Sequence, residues 1–351
     1  MSILTQWRAF APAGAVEDEF FCTVTAGPGE FEDFASEAGA LWSAYLRDLD
    51  ARGLALESEL LLRFHLSDAA NQAPLLRDLL GGRSCSIVDQ PPADGSRIAL
   101  EAWHVTGGRH PEFRMVYSPE IGSGDSFEQT KRLFDELDRT VTAAGGEVAK
   151  HTLRTWLYCR DIDNNYAGLV KARNENFDRI GLVEKYLAST GIGGGAALPG
   201  QLVQLDALEY YGVTPAQIVH LKAEDHLSPT ALYGVRFERG SRVDLADRAE
   251  LFISGTASID HLGKILYEQD IRRQCRRVIE NIAALLKEGG AKLSDVLSAT
   301  LYMRDHADCA IVREEFRNVF AAEPVFLIAP VCRPGWLVEC ECIAVVDKTP
   351  R

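Results

Sequence analysis

Two stretches of the chain decide how the rest is interpreted: residues 145–161 (GGEVAKHTLRTWLYCRD) and residues 289–305 (GGAKLSDVLSATLYMRD). They align without a gap and are identical at seven of 17 positions. A helical pattern precedes each copy, and a Pro-Gly segment follows each copy, at 199–204 and at 334–339. Because all these matches occur in the same order, they indicate an internal repeat.

A fainter third copy precedes the other two. Residues 53–68 (GLALESELLLRFHLSD) share the first Gly, two Leu residues and the final Asp with residues 290–305. Three similar units are therefore expected, near residues 16–105, 112–212 and 230–347. The predicted domains are a degenerate N-terminal unit at 1–110, a central unit at 111–228 and a C-terminal unit at 229–351.

The third unit shows the order of its elements most clearly. The apolar run 251–254 predicts a strand, and apolar residues at helical spacing over 271–285 predict an amphipathic helix that ends in a glycine turn. A strand at 296–303, a helix over 307–320 and strands at 325–332 and 336–346 are expected to follow. This order predicts an α+β unit, a sheet with helices on one face. Three such units can close their other faces against one another, which predicts a monomer built like a trimer.

Composition narrows the classes of partner. The 351 residues carry a net charge of -14, which disfavours nucleic acid and anionic membrane surfaces as partners. No apolar run is long enough to span a membrane and the first residues do not resemble a signal peptide, so a cytoplasmic location is expected. The eight cysteines form no CxxC pair and no His lies at ligand spacing, so no metal and no disulfide framework are expected.

One acidic residue distinguishes the third unit. Glu339 aligns with Gln204 in the second unit and with Ala99 in the first, whereas the position two residues later is acidic in all three units. Residues two apart in a strand share a face, so Glu339 and Glu341 are expected to face the cleft between units. An acid that occurs once favours a functional site, and an acid that recurs favours a structural role. The alternative is that Glu339 is an ordinary solvated strand residue.

Arginines show a similar asymmetry. Arg154, Arg313 and Arg333 each lack a counterpart in another unit, and a guanidinium group is well suited to binding carboxylates. Surface ion pairs are the alternative interpretation of each.

The Gly-rich run 190–195 lacks the Lys-Ser/Thr of a phosphate-binding loop, so we interpret it as a place where the backbone approaches a flat ligand closely.

The third unit resembles the Rid family of imine/enamine deaminases. The residues that carry this resemblance are 251–255, the Gly289-Gly290 turn, 296–305 and 337–341. Rid deaminases are homotrimers with ligand clefts between their subunits. The arginine with which they hold the substrate carboxylate falls at about Phe326 here, which argues against deamination.

From about residue 110 onward the chain also resembles the chorismatases, which are Rid-like in fold and of similar length. This likeness is carried by segments 154–158, 173–179, 189–194, 233–234, 251–257 and 338–341, together with Arg333. It implies Rid-like (chorismate-mutase-like) repeats in an intramolecular pseudo-trimer, with chorismate as the small-molecule substrate. It further implies Glu339 as the catalytic acid and a substrate-binding set formed by Arg154, Tyr158, Thr190, Gly191, Gly255, Arg313, Cys332 and Arg333.

Two of these positions bear on the product. In the family, hydrolytic members carry Ala at the positions of Gly255 and Cys332, whereas benzoate-forming members carry Gly and Cys, as this chain does. The resemblance therefore implies pyruvate and 3-hydroxybenzoate, alone or together with 4-hydroxybenzoate, and no cofactor. The alternatives are a hydrolytic chorismatase, a Rid-type deaminase and a non-catalytic small-molecule binder. A monomer is expected, and a homo-oligomer is the alternative.

Overall fold

The computed structural model describes residues 3–13, 15, 17–107 and 113–348. These residues form three sheets with helices, which confirms the predicted α+β class. The sheets are built from residues 3–106, 113–210 and 218–347, and each sheet with its helices is called a unit below. The predicted boundary between residues 110 and 111 lies outside the described residues.

The first unit has five strands and two long helices. Its elements are β1 (Ile3–Phe10), β2 (Asp18–Ala26), α1 (Phe34–Arg52), β3 (Glu59–Leu66), α2 (Ala69–Leu79), β4 (Ser86–Asp89) and β5 (Ile98–Thr106). The strand order is β1-β2-β5-β3-β4. α1 begins where Asp33 and Ser36 form a capping box, and it ends at Gly53, whose φ of 67° is in the left-handed region that glycine tolerates.

The second unit repeats the core of the first with one strand fewer. Its elements are β6 (Phe113–Tyr117), α3 (Ser126–Ala143), α4 (Val148–His151), β7 (Thr152–Cys159), α5 (Ile162–Arg179), β8 (Ala188–Gly193) and β9 (Val203–Tyr210). The strand order is β6-β9-β7-β8. The last strand of each unit lies in the same place in its sheet. β5 lies between β2 and β3 in the first unit, and β9 lies between β6 and β7 in the second.

The third unit has the same core and two further strands added at one side of its sheet. Its elements are β10 (Ile218–Leu221), β11 (Gly240–Asp244), β12 (Arg248–Ala257), α6 (Ile271–Glu288), β13 (Val296–Met303), α7 (Cys309–Phe316), β14 (Val325–Ile328) and β15 (Val338–Asp347). The strand order is β10-β11-β12-β15-β13-β14. The predicted order of strand, helix, strand, helix and two strands is therefore confirmed.

Two predicted elements are shorter than expected. The helix expected over 307–320 is a 3₁₀ turn followed by α7, which stops at Phe316 because Asn318 adopts a left-handed φ of 60°. The strand expected over 325–332 ends at Ile328. The remaining residues of that stretch form the loop that carries Cys332 and Arg333.

Alternating side chains give each sheet two apolar faces. In β3, Leu62 and Phe64 pack with the helices of the first unit, whereas Leu61 belongs to the central core that all three units share. The second unit has its own core between its helices and sheet, and Leu157 of β7 lies in it. Each unit thus covers one sheet face with helices and turns the other toward its neighbours.

A ring of recurring acids joins the units around this centre. Glu341 accepts hydrogen bonds from Arg154 Nη2 (2.9 Å) and Trp156 Nε1 (2.8 Å) of the second unit. Asp206 accepts one from Ser86 of the first unit, and Glu101 accepts one from Thr300 of the third. Each unit therefore contacts the next in the same rotational sense, which confirms the predicted intramolecular pseudo-trimer and the structural role of these acids.

Among the described residues, no helix combines the length and apolar character needed to cross a membrane.

Candidate active site

A small closed chamber lies between the second and third units. We call it the inner chamber; its volume is about 30 Å³. Its lining residues are Tyr166, Arg173, Ser189, Gly191, Tyr233, Phe237, Arg239, Gly255, Ala257, Ile259, Cys332, Trp336 and Glu339. An open groove of about 760 Å³ adjoins it and shares Tyr166, Tyr233 and Cys332 with it. The groove therefore forms the approach to the chamber from the surface.

Glu339 is the acidic residue of the inner chamber. It lies on β15, paired in register with Tyr302 on one side and Ala257 on the other, and its side chain is buried. Burial raises the pKa of this carboxyl to about 8; the charge of Glu341 raises it further and the charge of Arg239 lowers it. Glu339 is therefore mostly protonated at neutral pH and can donate a proton.

Gly255 makes room for this carboxyl group. A Cβ atom at position 255 would overlap the Glu339 carboxyl and would lie 3.0 Å from Thr190 Cγ2. The Gly255 amide donates to Thr190 Oγ1 (2.9 Å), and Arg154 Nη2 donates to the same oxygen (3.1 Å). The absence of a side chain at 255 thus permits the observed position of the Glu339 carboxyl.

Two arginines supply positive charge to the chamber. Arg173 on α5 is 1% exposed, and its Nε and Nη2 atoms have no hydrogen-bond partner among the described residues. Arg239 precedes β11; it donates through Nη2 to the Ser228 carbonyl (2.9 Å) and stacks near Tyr233 and Phe237. A buried arginine with unused donors is costly unless a partner satisfies it, and its place in the chamber makes Arg173 a candidate for binding an anionic ligand.

The closing loop of the third unit contributes Cys332 and Arg333. Burial raises the pKa of the Cys332 thiol to about 12, so this thiol stays neutral and soft. The Arg333 guanidinium lies 4.6 Å from the Trp336 ring centroid and lines the outer groove rather than the inner chamber. On the opposite wall, Gly191 of β8 approaches Tyr166 so closely that a Cβ would be 3.3 Å from the ring.

Arg154 and Tyr158 lie outside the chamber lining. Arg154 is 1% exposed and joins two units by donating to the Ile253 carbonyl and to Glu341. It reaches the site only through Thr190. Tyr158 is fully buried at the molecular centre, with the Arg63 guanidinium 5.7 Å from its ring centroid. Neither side chain therefore lines the chamber in this structure.

Arg313 is in a different cleft. It lines a cavity of about 370 Å³ between the first and third units, which we call the second cleft. The second cleft and the inner chamber share no lining residue among those described. The structure therefore brings together Glu339, Gly255, Gly191 and Cys332, with Thr190 and Arg333 adjoining, and it separates Arg313 from them.

Sequence reasoning missed Arg173 and Arg239 as site residues. A signal for Arg173 was present, because it lies four residues after Leu169 and four before Phe177 on the buried face of α5. An arginine on the apolar face of a helix is unusual and marks a buried partner or ligand. Arg239 has no comparable signal, since it comes from an irregular segment before β11.

The site has the groups that an acid catalyst requires. Within the described part of the chain, no group of three or more His, Cys, Asp or Glu residues is placed to hold a metal ion. The chamber offers one carboxyl group with a raised pKa, one neutral thiol and two guanidinium groups. This set can bind an anion and protonate it.

Sequence comparison relates the third unit to a widespread family. The endoribonuclease L-PSP family profile matches residues 243–346. A RutC family protein of Pyrococcus abyssi is 37% identical over 97 residues, which cover 27% of this chain and 76% of that protein. A similar RutC family protein of Pyrococcus horikoshii is 36% identical over 97 residues and 77% of its length.

Two longer matches extend beyond the third unit. A 3-hydroxybenzoate synthase of Streptomyces hygroscopicus is 29% identical over 218 residues, which cover 55% of this chain and 63% of that enzyme. The alignment therefore spans less than two thirds of that relative. A crystal structure of a chorismatase superimposes with a TM-score of 0.63 at 20% identity and covers 98% of this chain and 99% of the other. This likeness shows that the two chains share the whole fold.

Proposed function

This chain belongs to the RutC family of Rid-like proteins, and from that premise we propose that it converts chorismate to 3-hydroxybenzoate and pyruvate. Two matches support chorismate as the substrate: the likeness in fold to a chorismatase and the sequence likeness to a 3-hydroxybenzoate synthase. The single observation that carries the proposal is the buried Glu339 carboxyl, whose pKa is raised to about 8 in a chamber with an unsatisfied arginine.

Glu339 acts as the general acid. The enolpyruvyl ether of chorismate must be protonated on carbon, which requires a carboxylic acid that is still protonated near pH 7. Proton transfer by a positioned acid contributes roughly 10²–10⁴-fold to a rate. Burial provides that neutral acid here, because desolvation outweighs the opposing charge of Arg239.

The arginines hold the two carboxylates of the substrate. Arg173 presents unused donors to the inner chamber, and Arg239 lines the same chamber. Arg333 in the adjoining groove is positioned for a carboxylate that extends outward. Arg154 fixes Thr190 beside the acid. A 30 Å³ chamber holds no molecule of this size, so the proposed function requires the chamber to widen toward the adjoining groove when substrate enters.

The products together contain all the atoms of chorismate, so the reaction needs no oxidant, reductant or cofactor. The proton that Glu339 gives to the methylene carbon is balanced by the ring proton released on aromatisation. An internal rearrangement, in place of attack by water, separates pyruvate from the ring. A small Gly255 and a neutral Cys332 shape the chamber for this outcome.

Replacement of the acid tests the proposal. Pure wild-type protein is incubated with chorismate, the aromatic product is identified by chromatography, and pyruvate release is followed. Glu339→Gln should lower pyruvate release by about 10²-fold or more. The exposed Glu224→Gln serves as the matched control and should retain full activity. Wild-type rates in Glu339→Gln would refute the acid role, and retention of chorismate without turnover would indicate a binding protein.

Hydrolysis is the second candidate, because the inner chamber has the volume of about one water molecule beside Glu339. In that reaction water attacks and a dihydrodiol forms instead of a benzoate. Gly255→Ala tests which outcome the chamber favours, since the new Cβ would displace the Glu339 carboxyl from its observed position. We expect slower pyruvate release and a larger dihydrodiol fraction.

Gly39→Ala is the matched control for this substitution. Gly39 lies within α1, and a Cβ added there would meet no atom within 4 Å, so the same added methyl group should leave the products unchanged. An unchanged benzoate yield in Gly255→Ala would contradict the proposed role of Gly255. A dihydrodiol from the wild-type protein would establish hydrolysis instead.

A further inference from the structure

The second cleft occupies the same place between the first and third units as the inner chamber does between the second and third. In register, Ala99 of β5 pairs with His65 as Glu339 of β15 pairs with Tyr302. Two residues further along each strand, Glu101 and Glu341 make the same kind of contact with the neighbouring unit. The two cavities are therefore equivalent positions of one pseudo-threefold arrangement.

Arg313 lines the second cleft and Arg173 lines the inner chamber. Each arginine comes from the helix that follows the second core strand of its unit, α7 or α5. The Arg313 guanidinium stacks over the Phe326 ring at 4.4 Å from the centroid. Its Nε atom donates to Cys309 Sγ (3.4 Å), and 37% of its side chain remains exposed. Within the described residues no hydrogen bond is made by Nη1 or Nη2.

The second cleft has an arginine but no acid at the catalytic position, because Ala99 replaces Glu339. Its other charged lining residues are Arg8, Asp94 and Glu323, so the two positive charges of the lining are balanced by two negative ones. Asp94 Oδ2 lies 4.0 Å from Arg313 Nη2. Arg313 can pair with one ligand carboxylate, whereas a second carboxylate would be repelled by Asp94 and Glu323.

The apolar part of the lining favours a flat ligand. Phe320, Phe326, Pro92 and Pro324 lie around Arg313, and the volume of about 370 Å³ falls within the usual size range of small-molecule sites. A ring stacked on this surface would place its carboxylate against the free Nη donors, because a guanidinium on an aromatic face keeps its edge available.

From these contacts we propose that the second cleft is a non-catalytic binding site for a small monocarboxylate with a flat apolar body. The carboxylate binds to Arg313, and the body packs against Phe326 and its neighbours. The absence of an acid at position 99 means that the ligand is held without being protonated. The inference stands without the proposed function, since it rests on the second cleft alone.

Titration calorimetry with benzoate tests this proposal. Wild-type protein should bind benzoate, and Arg313→Met should weaken binding by about tenfold or more through loss of a charge-assisted hydrogen bond. Arg317→Met removes the same charge from an exposed position just after α7 and is the matched control, with affinity unchanged. Asp94→Asn should tighten binding several-fold, because it removes a repelling charge while its Oδ1 can still accept from Ser96.

Arg173→Met separates the two cavities in the same experiment. If benzoate occupies the second cleft, this variant keeps the wild-type affinity. If Arg173→Met rather than Arg313→Met abolishes binding, benzoate enters the inner chamber only and the proposal is overturned. Absence of any binding at millimolar benzoate would overturn it as well, and neither result would bear on chorismate turnover by Glu339.

Discussion

Two carboxyl groups on one face of β15 have different environments. Glu341 is satisfied by Arg154 and Trp156 at 2.9 and 2.8 Å. Glu339, two residues earlier, faces the chamber, and burial raises its pKa to about 8 despite the charge of Arg239. The same residue type therefore serves structure at one position and, in the proposed function, proton transfer at the other, because only Glu341 has a cationic partner within bonding distance.

The pH profile follows from the raised pKa of Glu339. The general acid must be protonated, so kcat/KM for pyruvate release should stay level below the pKa and fall as the pH rises through about 8. Initial rates measured between about pH 6 and 10 would show this limb. A fall that already occurs near the ordinary carboxyl pKa would contradict the assignment.

The pH dependence of the free energy of unfolding provides an independent test of the raised pKa of Glu339. The folded protein binds the Glu339 proton more tightly than the unfolded chain, so the associated stability is present below the unfolded pKa of 4.5 and is lost as pH rises through about 8. Glu339→Gln has no such proton. The fall in the free energy of unfolding from about pH 5 to 9 should therefore be smaller in the variant than in wild type.

At the scale of elements, the sequence repeat predicted which strand residues are equivalent in the three units. The alignment of Glu339 with Gln204 and Ala99 is confirmed by strand register, because these residues pair with Tyr302, Tyr158 and His65 at matching positions. Helices were harder to match, since α5 has 18 residues and its counterpart α7 has eight. For this reason sequence alone could not predict which cleft Arg313 enters.

The junction of β2 and β12 is held by one buried arginine. Arg248 is fully buried and lies 2.7 Å from Glu19, 3.4 Å from Asp247 and 4.0 Å from Glu250. Burial raises the pKa of Glu19 to about 7 and that of Glu250 well above its usual range, and Arg248 opposes both shifts. The positive charge of Arg248 therefore stabilises buried carboxylates from both the first and the third unit.

Removal of Arg248 should destabilise the whole chain. Arg248→Met leaves buried carboxylates without their cation, and the free energy of unfolding in urea should fall by about 3–5 kcal/mol at pH 8. The loss should be smaller at pH 5, where Glu19 is protonated. Arg77→Met, which removes a half-exposed partner of Glu120, should change stability by less than about 1 kcal/mol. Equal effects of the two substitutions would refute the argument.

At the scale of the molecule, the recurring acids could be predicted and the clefts could not. The acid shared by all three units indicated a structural ring, and Glu101, Asp206 and Glu341 form it. The inner chamber, in contrast, combines residues from α5, β8, β12 and the loop after β14, which only the packing of two units brings together. Repeats therefore reveal the symmetry of a fold more readily than the contents of its cavities.

The closed ring predicts a single chain in solution. Each unit contacts the next one through its recurring acid and receives the acid of the other, so no equivalent contact among the described residues is left for a second copy. Light scattering should give a mass of 38.6 kDa, and the thermal unfolding midpoint should not depend on protein concentration.

Thr300→Val, which removes one contact of the ring, should lower that midpoint without changing the mass. A midpoint that rises with concentration would show that assembly of separate chains contributes to stability.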